Sequence, residues 1–253
     1  MAPAVPVPAD HALAARAATE AGRLLVGLRA DLAGAPGWHV GDEGDLRAHH
    51  LLVDLLRAEA PGDAILSEEG ADDLRRLQHP RVWIIDPLDG TREFGEVGRS
   101  DWAVHVALCI DGVAVAGAVA LPALGLTLGT LPAPVLPRRA AGPIRIVVSR
   151  SRPPHESRLL AQALDGVLLP LGSAGAKAMA VVLGQADAYV HTGGQYEWDN
   201  AAPAAVAEAA GLHVSRVDGQ PLRYNQADPW LPDLLICRPE IAERSLDAIR
   251  RQW

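Results

Sequence analysis

Apolar residues recur at helical spacing in the first part of the chain. Leu13, Ala17, Ala21, Leu24, Leu25 and Leu28 fall on one face of residues 10–31, which predicts an amphipathic helix. A second helix is predicted over 45–59, DLRAHHLLVDLLRAE, with Asp45 as its N-cap. The period then shortens. DAILSEE, RVWIIDP, WAVHVALCIDG and VAVAGAVAL read as strands, the last two joined by a short Asp-Gly turn as a hairpin. The proline-rich stretch LPAPVLPRRAAGP, 131–143, can extend neither a helix nor a sheet, and it separates an N-terminal subdomain, 1–135, from a C-terminal one, 136–253. Beyond it strand and helix alternate through IRIVVSR, PHESRLLAQAL, GVLLPLG, SAGAKAMAVVLGQ, AYVHT, DNAAPAAVAEAAG, LLICR and a closing helix. That order predicts a largely covered, mixed sheet.

Composition narrows the class. With 253 residues and 49% hydrophobic content the chain can fill a sizeable core. A net charge of -8 argues against binding a nucleic-acid polymer, which needs Lys and Arg to neutralise phosphates. No apolar run is long enough for a membrane span, and the N-terminal residues lack the order of a signal peptide, so a cytoplasmic protein is expected. Cys109 and Cys237 lie in apolar strand-like runs and read as buried thiols. Arg greatly outnumbers Lys: Lys177 is the single lysine, and Phe94 the single phenylalanine.

Candidate chemistry begins where WIIDPLDGTREF leaves a continuously apolar strand. Asp86 arrives at its end from a dry interior, Pro87 fixes the backbone direction, and Gly90 permits a tight turn that aims Asp86 and Asp89 at one point. Two carboxylates so close repel by several kcal/mol in a partly dry site unless a cation or proton lies between them. DPLDG is also good turn chemistry, and both readings stand on this motif alone. Further acids tilt the balance: LSEEG places Glu68 and Glu69 at the end of another apolar run, and EWDNAA places Asp199 at a helix start. Oxygen donors without a His or Cys cluster suit Mg²⁺, with Mn²⁺ as a substitute.

These motifs, SEE, WIIDPLDGT and WDNAAPAAVAEAAG in this order, resemble the lithium-sensitive, magnesium-dependent phosphatase superfamily of inositol monophosphatase, fructose-1,6-bisphosphatase and 3'-phosphoadenosine 5'-phosphate (PAP) phosphatase. The resemblance implies an α+β fold of alternating α/β/α/β/α layers, two or three Mg²⁺ ions, lithium inhibition and a homodimer. It implies that Glu68, Asp86 and the backbone carbonyl of Leu88 hold one ion, and that Asp86, Asp89 and Asp199 hold a second. Glu68, Thr91 and Asp45 would be the catalytic residues, Thr91 and Asp45 orienting and deprotonating the attacking water. For Asp45 the helix-cap reading stands beside this one. Where many relatives carry a lysine and then V-T-x-x-D, this chain reads WHVGDEGDLRAHH, which predicts a shortened acidic loop over 39–45, with Asp42 and Glu43 as solvated charge or a third ion position.

The residues after DGT separate branches. Thr91, Arg92, Glu93 and Phe94 match the DGT-[K/R]-EF of CysQ-type PAP phosphatases rather than the DGTTN of inositol monophosphatases. Contacts to the phosphorylated substrate are expected from Gly90, Thr91 and Arg92, and from Ser149, Arg150 and Ser151 at a strand end. Gly172 and Ser173 at a helix start, with Lys177 one turn later, read as an anion site or as a plain cap with a surface lysine. The implied reaction is hydrolysis of the 3'-phosphate of PAP to AMP, and of 3'-phosphoadenylyl sulfate (PAPS) besides, in sulfate assimilation. The alternatives are a broad inositol-1-phosphatase or fructose-1,6-bisphosphatase, and a metabolite-binding relative without turnover.

Overall fold

A computed structural model describes residues 5–72 and 74–250, and among these ten strands build two five-stranded sheets. The first half runs α1 (Pro8–Asp31), α2 (Gly37–Glu59), β1 (Ala64–Ser67), β2 (Arg81–Asp89), the short α3 (Thr91–Gly95), β3 (Ala103–Ile110), β4 (Val113–Leu121) and β5 (Leu126–Gly129). Its sheet has the order β1-β2-β3-β4-β5, with β1 parallel to β2 and the other pairs antiparallel. The second half runs β6 (Ile144–Ser149), α4 (His155–Leu164), β7 (Gly166–Leu171), α5 (Ala174–Val182), β8 (Ala188–Tyr196), α6 (Glu197–Ala209), β9 (His213–Ser215), β10 (Trp230–Cys237) and α7 (Ala242–Arg250). Its sheet is mixed, in the order β7-β6-β8-β10-β9.

Side-chain alternation sets the layers. Trp83, Ile85, Val104, Val106 and Leu108 pack on Leu25, Leu52 and Leu56 of α1 and α2. Their neighbours Val82, Ile84, Ala103, Ala107 and Cys109 turn the other way, onto Met179 of α5 and Val206 of α6. The far face of the second sheet, Ile146, Val190 and Leu235, packs on Leu160 of α4 and Ile249 of α7. The result is α/β/α/β/α. Every position of β3 is buried, and each fully buried Leu or Val contributes about 1.5–3 kcal/mol. Leu66 and Val82 of the first sheet share one core with Val147 and Tyr189 of the second. The chain passes between the sheets through 131–143, which holds neither helix nor strand.

The largest departure from expectation is α2, which begins at Gly37 and carries Asp45 well inside it. Asp45 is therefore not an N-cap, and the loop expected over 39–45 is helix. Gly41 and Gly44 argued against helix, since Gly costs about 1 kcal/mol relative to Ala. Tertiary contact overrides that cost: a Cβ on Gly41 would stand 2.7 Å from Thr91 Cγ2, and one on Gly44 2.8 Å from Phe94 Cε1. Asp42 is exposed, and Glu43 pairs with Arg47 at 2.7 Å one turn on. Both cysteines are buried free thiols, and no helix among the described residues is long and apolar enough to cross a membrane.

Candidate active site

Strand β2 delivers the first acids. Asp86 continues the inward face of Val82 and Ile84, is 1% exposed, and lies opposite His105 of β3. The ladder breaks between Asp86 and Asp89, where Pro87 has no N–H to donate, and Leu88 N instead donates to Asp86 Oδ1 at 3.0 Å. Gly90 closes the turn at φ 89°. From the parallel neighbour β1, Glu68 N donates to Ile85 O at 3.4 Å, which brings Glu68 near enough for its charge to act on Asp86. Asp199 enters from the first turn of α6, where its carboxylate accepts from Tyr196 N at 2.6 Å. Oxygens of Asp86, Asp89 and Asp199 lie within 4.8 Å of one another.

So many carboxyls in a dry place resist ionisation. Burial, then the charges of Glu68, Asp89 and Asp199, hold Asp86 well above the usual carboxylate range. Burial and the charge of Asp199 push Glu68 up to about 7, and burial with Asp89 raises Asp199 to about 6. A bound cation would relieve the mutual repulsion that raises them. The donors are all hard oxygens, the set that suits Mg²⁺ or Mn²⁺.

Asp89 is the exception. Burial raises its pKa, but His105, Lys177 and the Ser173 hydroxyl outweigh that and hold it at about 2. Ser173 Oγ donates to Asp89 Oδ2 at 2.5 Å, Gly175 N to the same oxygen at 2.6 Å and Ala174 N to Oδ1 at 3.0 Å. The N-terminus of α5, expected to receive a ligand anion, is thus occupied by the protein's own Asp89. Lys177 is not a surface lysine either. It is 5% exposed and donates to the carbonyls of Gly172 and Ser173, and burial lowers its pKa. His105, fully buried, donates from Nδ1 to Trp198 O at 3.0 Å and sets Nε2 3.2 Å from Asp89 Oδ2. It ties β3 to the helix that carries Asp199.

Thr91 opens α3 and faces α2. Its hydroxyl lies 3.4 Å from Asp45 Oδ1 and 3.2 Å from Leu88 O, so one proton is shared between a carboxylate and a carbonyl. Burial, followed by the charges of Glu69 and Glu68, raises Asp45 to about 8.

A cleft of about 460 Å³ opens beside Asp89 and Asp199. Ser149, Arg150 and Ser151 line it together with Gly90, Gly172, Ser173 and Lys177. Arg150 does not reach into it unpaired: its guanidinium meets Glu93 at 2.7 Å and Glu96 at 3.0 Å. Arg92 stays outside the lining, exposed and paired with Glu96 at 3.3 Å. Sequence reasoning missed His105, Arg152 and Glu93 as site residues; a lone histidine within WAVHVALCI was the one signal for the first.

Comparison with known proteins sets this geometry in context. The model of the inositol monophosphatase family matches residues 41–252. The chain is 52% identical to the 3'-phosphoadenosine 5'-phosphate phosphatase of Mycobacterium bovis, over 92% of this chain and 91% of that protein. It is 34% identical to the 3'(2'),5'-bisphosphate nucleotidase CysQ of Shigella flexneri, over 74% of this chain and 80% of that one. The crystal structure of CysQ from Bacteroides thetaiotaomicron superposes with a TM-score of 0.76 at 26% identity, covering 91% of this chain and 97% of that chain.

Proposed function

From the premise that this chain belongs to the inositol monophosphatase family, we propose that it is a Mg²⁺-dependent phosphomonoesterase that hydrolyses the 3'-phosphate of PAP to AMP and phosphate, and accepts PAPS. The observation that carries the reading is the convergence of Glu68, Asp86, Asp89 and Asp199 beside a cleft whose further wall bears Ser149, Arg150 and Ser151. An ester phosphate belongs at the acids and the second phosphate of a bisphosphorylated nucleotide at the hydroxyls and guanidinium. The 52% identical PAP phosphatase supports the nucleotide over a simple sugar phosphate.

Glu68, Asp86, Asp89, Asp199 and the Leu88 carbonyl would hold the ions. When bound, such ions lower the pKa of water and neutralise charge on the phosphoryl oxygens. The remaining work belongs to the chain. Asp45 takes the proton of the attacking water through the Thr91 hydroxyl, which Leu88 O and Asp45 orient. Lys177 and the α5 N-terminus act on substrate indirectly, by holding Asp89 ionised and aimed. Lithium inhibition, a homodimer and a cytoplasmic place in sulfate assimilation complete the proposal. Phosphate release with Mg²⁺ from PAP, PAPS, inositol-1-phosphate and fructose-1,6-bisphosphate, on wild type and Asp86→Asn, tests it. PAP should lead in kcat/KM by about tenfold or more, a margin of roughly 1.4 kcal/mol, and Asp86→Asn should release no phosphate. Equal rates on all four would make the enzyme a broad phosphatase.

A further inference from the structure

Two aromatic side chains at the cleft take no part in the chemistry described. Tyr196 ends β8 and Trp230 begins β10, and the two are register partners across the antiparallel pair. Both line the cleft that contains Asp89 and Asp199, and both remain about half exposed, at 46% and 48%. An exposed aromatic pair at the rim of a polar cleft is the kind of patch that marks a ligand groove.

Neither ring is loose. The Trp230 indole packs closely against Gly194, whose φ is +90°; a Cβ there would stand 2.8 Å from Cε2 and 3.0 Å from Cζ2 of the indole. Only glycine leaves that room. His191 Nε2 donates to Gly194 O at 2.9 Å and fixes the segment under the ring. Tyr196 is backed by Trp198, with ring centroids 4.8 Å apart and planes 8° from parallel. Each ring is therefore braced by protein on one side, and both line the cleft. Rings held in advance lose little rotamer entropy when a ligand stacks on them.

We infer that Trp230 and Tyr196 form the stacking platform for the base of a purine nucleotide whose phosphate ester lies at the acid cluster. This rests on the nucleotide reading above and deepens it by assigning the base-recognition residues. An aromatic face suits a heterocyclic base because stacking needs area and no donor pattern, whereas a polyol is selected by hydrogen bonds to its hydroxyls. A cleft of about 460 Å³ is in the range that takes a mononucleotide.

The test compares wild type, Trp230→Ala, Trp230→Phe and Tyr196→Ala on PAP, on inositol-1-phosphate and on fructose-1,6-bisphosphate, with calorimetric titration of AMP alongside. Trp230→Ala should raise KM for PAP about 10- to 100-fold with kcat nearly unchanged. Trp230→Phe should recover most of the loss, and the two base-free esters should be unaffected by either change. An equal effect of Trp230→Ala on PAP and on base-free esters, or no effect on either, overturns the platform. If wild type cleaves base-free esters but not PAP, the nucleotide-hydrolysis reading falls by itself. The platform then stands if AMP binds wild type and not Trp230→Ala, and falls if AMP binds neither or both alike.

Discussion

The Ser173 hydroxyl donates to Asp89 Oδ2 across 2.5 Å while accepting from Ala176 N at 3.0 Å, so one side chain caps α5 and fixes a carboxylate from the other sheet. Losing an N-cap costs about 0.5–2 kcal/mol, and losing a hydrogen bond to a charged group about 1.5–3 kcal/mol. Ser173→Ala should therefore destabilise the protein by about 2–5 kcal/mol. The check is the denaturant midpoint at unchanged m. Ser173→Thr, which keeps both bonds, should lose far less.

His105 joins Asp89 to the backbone of α6 through its two ring nitrogens. His105→Leu takes the side-chain donor from the buried Trp198 carbonyl, which costs about 1–3 kcal/mol, and removes the imidazole that faces Asp89 Oδ2. Activity should fall more than stability explains. His105→Asn keeps one donor, and a partial return of kcat with Asn but not with Leu would identify a positioning role. Equal activity in both variants would reduce His105 to a packing residue.

The acids were legible in the sequence because several motifs agree: DPLDG alone reads equally well as a capped turn, but LSEEG and EWDNAA add acids at the ends of other elements. The layered fold was legible through alternation, since Trp83 and Ile84 had to face different cores. What could not be read was tertiary. The start of α2 was hidden because Gly41 and Gly44 weaken a helix locally and are excused only by Thr91 and Phe94 packed against them. Arg150 and Lys177 looked free because nothing local shows that Glu93, Glu96 and the α5 carbonyls engage them. His105 was missed because strand register, which set it opposite Asp86, is not a local property.

Without divalent ions the acid cluster should make stability fall as pH rises. Glu68 at about 7, Asp199 at about 6 and Asp45 at about 8 keep their protons in the fold after the unfolded chain has lost its own. Their stabilising contribution is complete below the ordinary carboxylate range and drains away as pH rises through these values. Asp89, held at about 2, works the other way, and its contribution is lost only in strong acid. Chelated protein should therefore lose about 5–10 °C in Tm between pH 5 and 8, and Mg²⁺ should restore it. Asp86→Asn removes a buried member of the cluster. It should raise Tm of the chelated protein at pH 8 while abolishing phosphate release. A chelated wild type whose Tm is flat with pH would mean that these carboxyls ionise in the fold as they do in the unfolded chain.

Thr91 and Asp45 make separable predictions. Thr91→Val keeps the shape but removes the proton that Asp45 and Leu88 share, and kcat should drop about 100- to 10,000-fold. Thr91→Ser should retain most of it. If Asp45 is the base, log kcat/KM in saturating Mg²⁺ should rise with pH through one ionisation and then level off. Asp45→Asn should lose that rise along with most of the rate. Retention of the pH limb in Asp45→Asn would move the base elsewhere.

Arg150 is shared between protein and substrate if it meets a second phosphate. Glu93 and Glu96 hold its guanidinium in the free enzyme, so a phosphate must displace at least one carboxylate. Glu96 is the partner to lose, because it also serves Arg92 and Arg99 from the surface while Glu93 is buried. Glu96→Gln removes a competing anion and should lower KM for PAP several-fold, whereas Arg150→Gln should raise it about tenfold. Neither change should alter KM for inositol-1-phosphate, which has no second phosphate to place. The opposite signs carry the argument: if both variants weaken PAP alike, the Arg150–Glu96 pair is a structural tie, and the second phosphate must be sought at Arg152, which lines the same cleft.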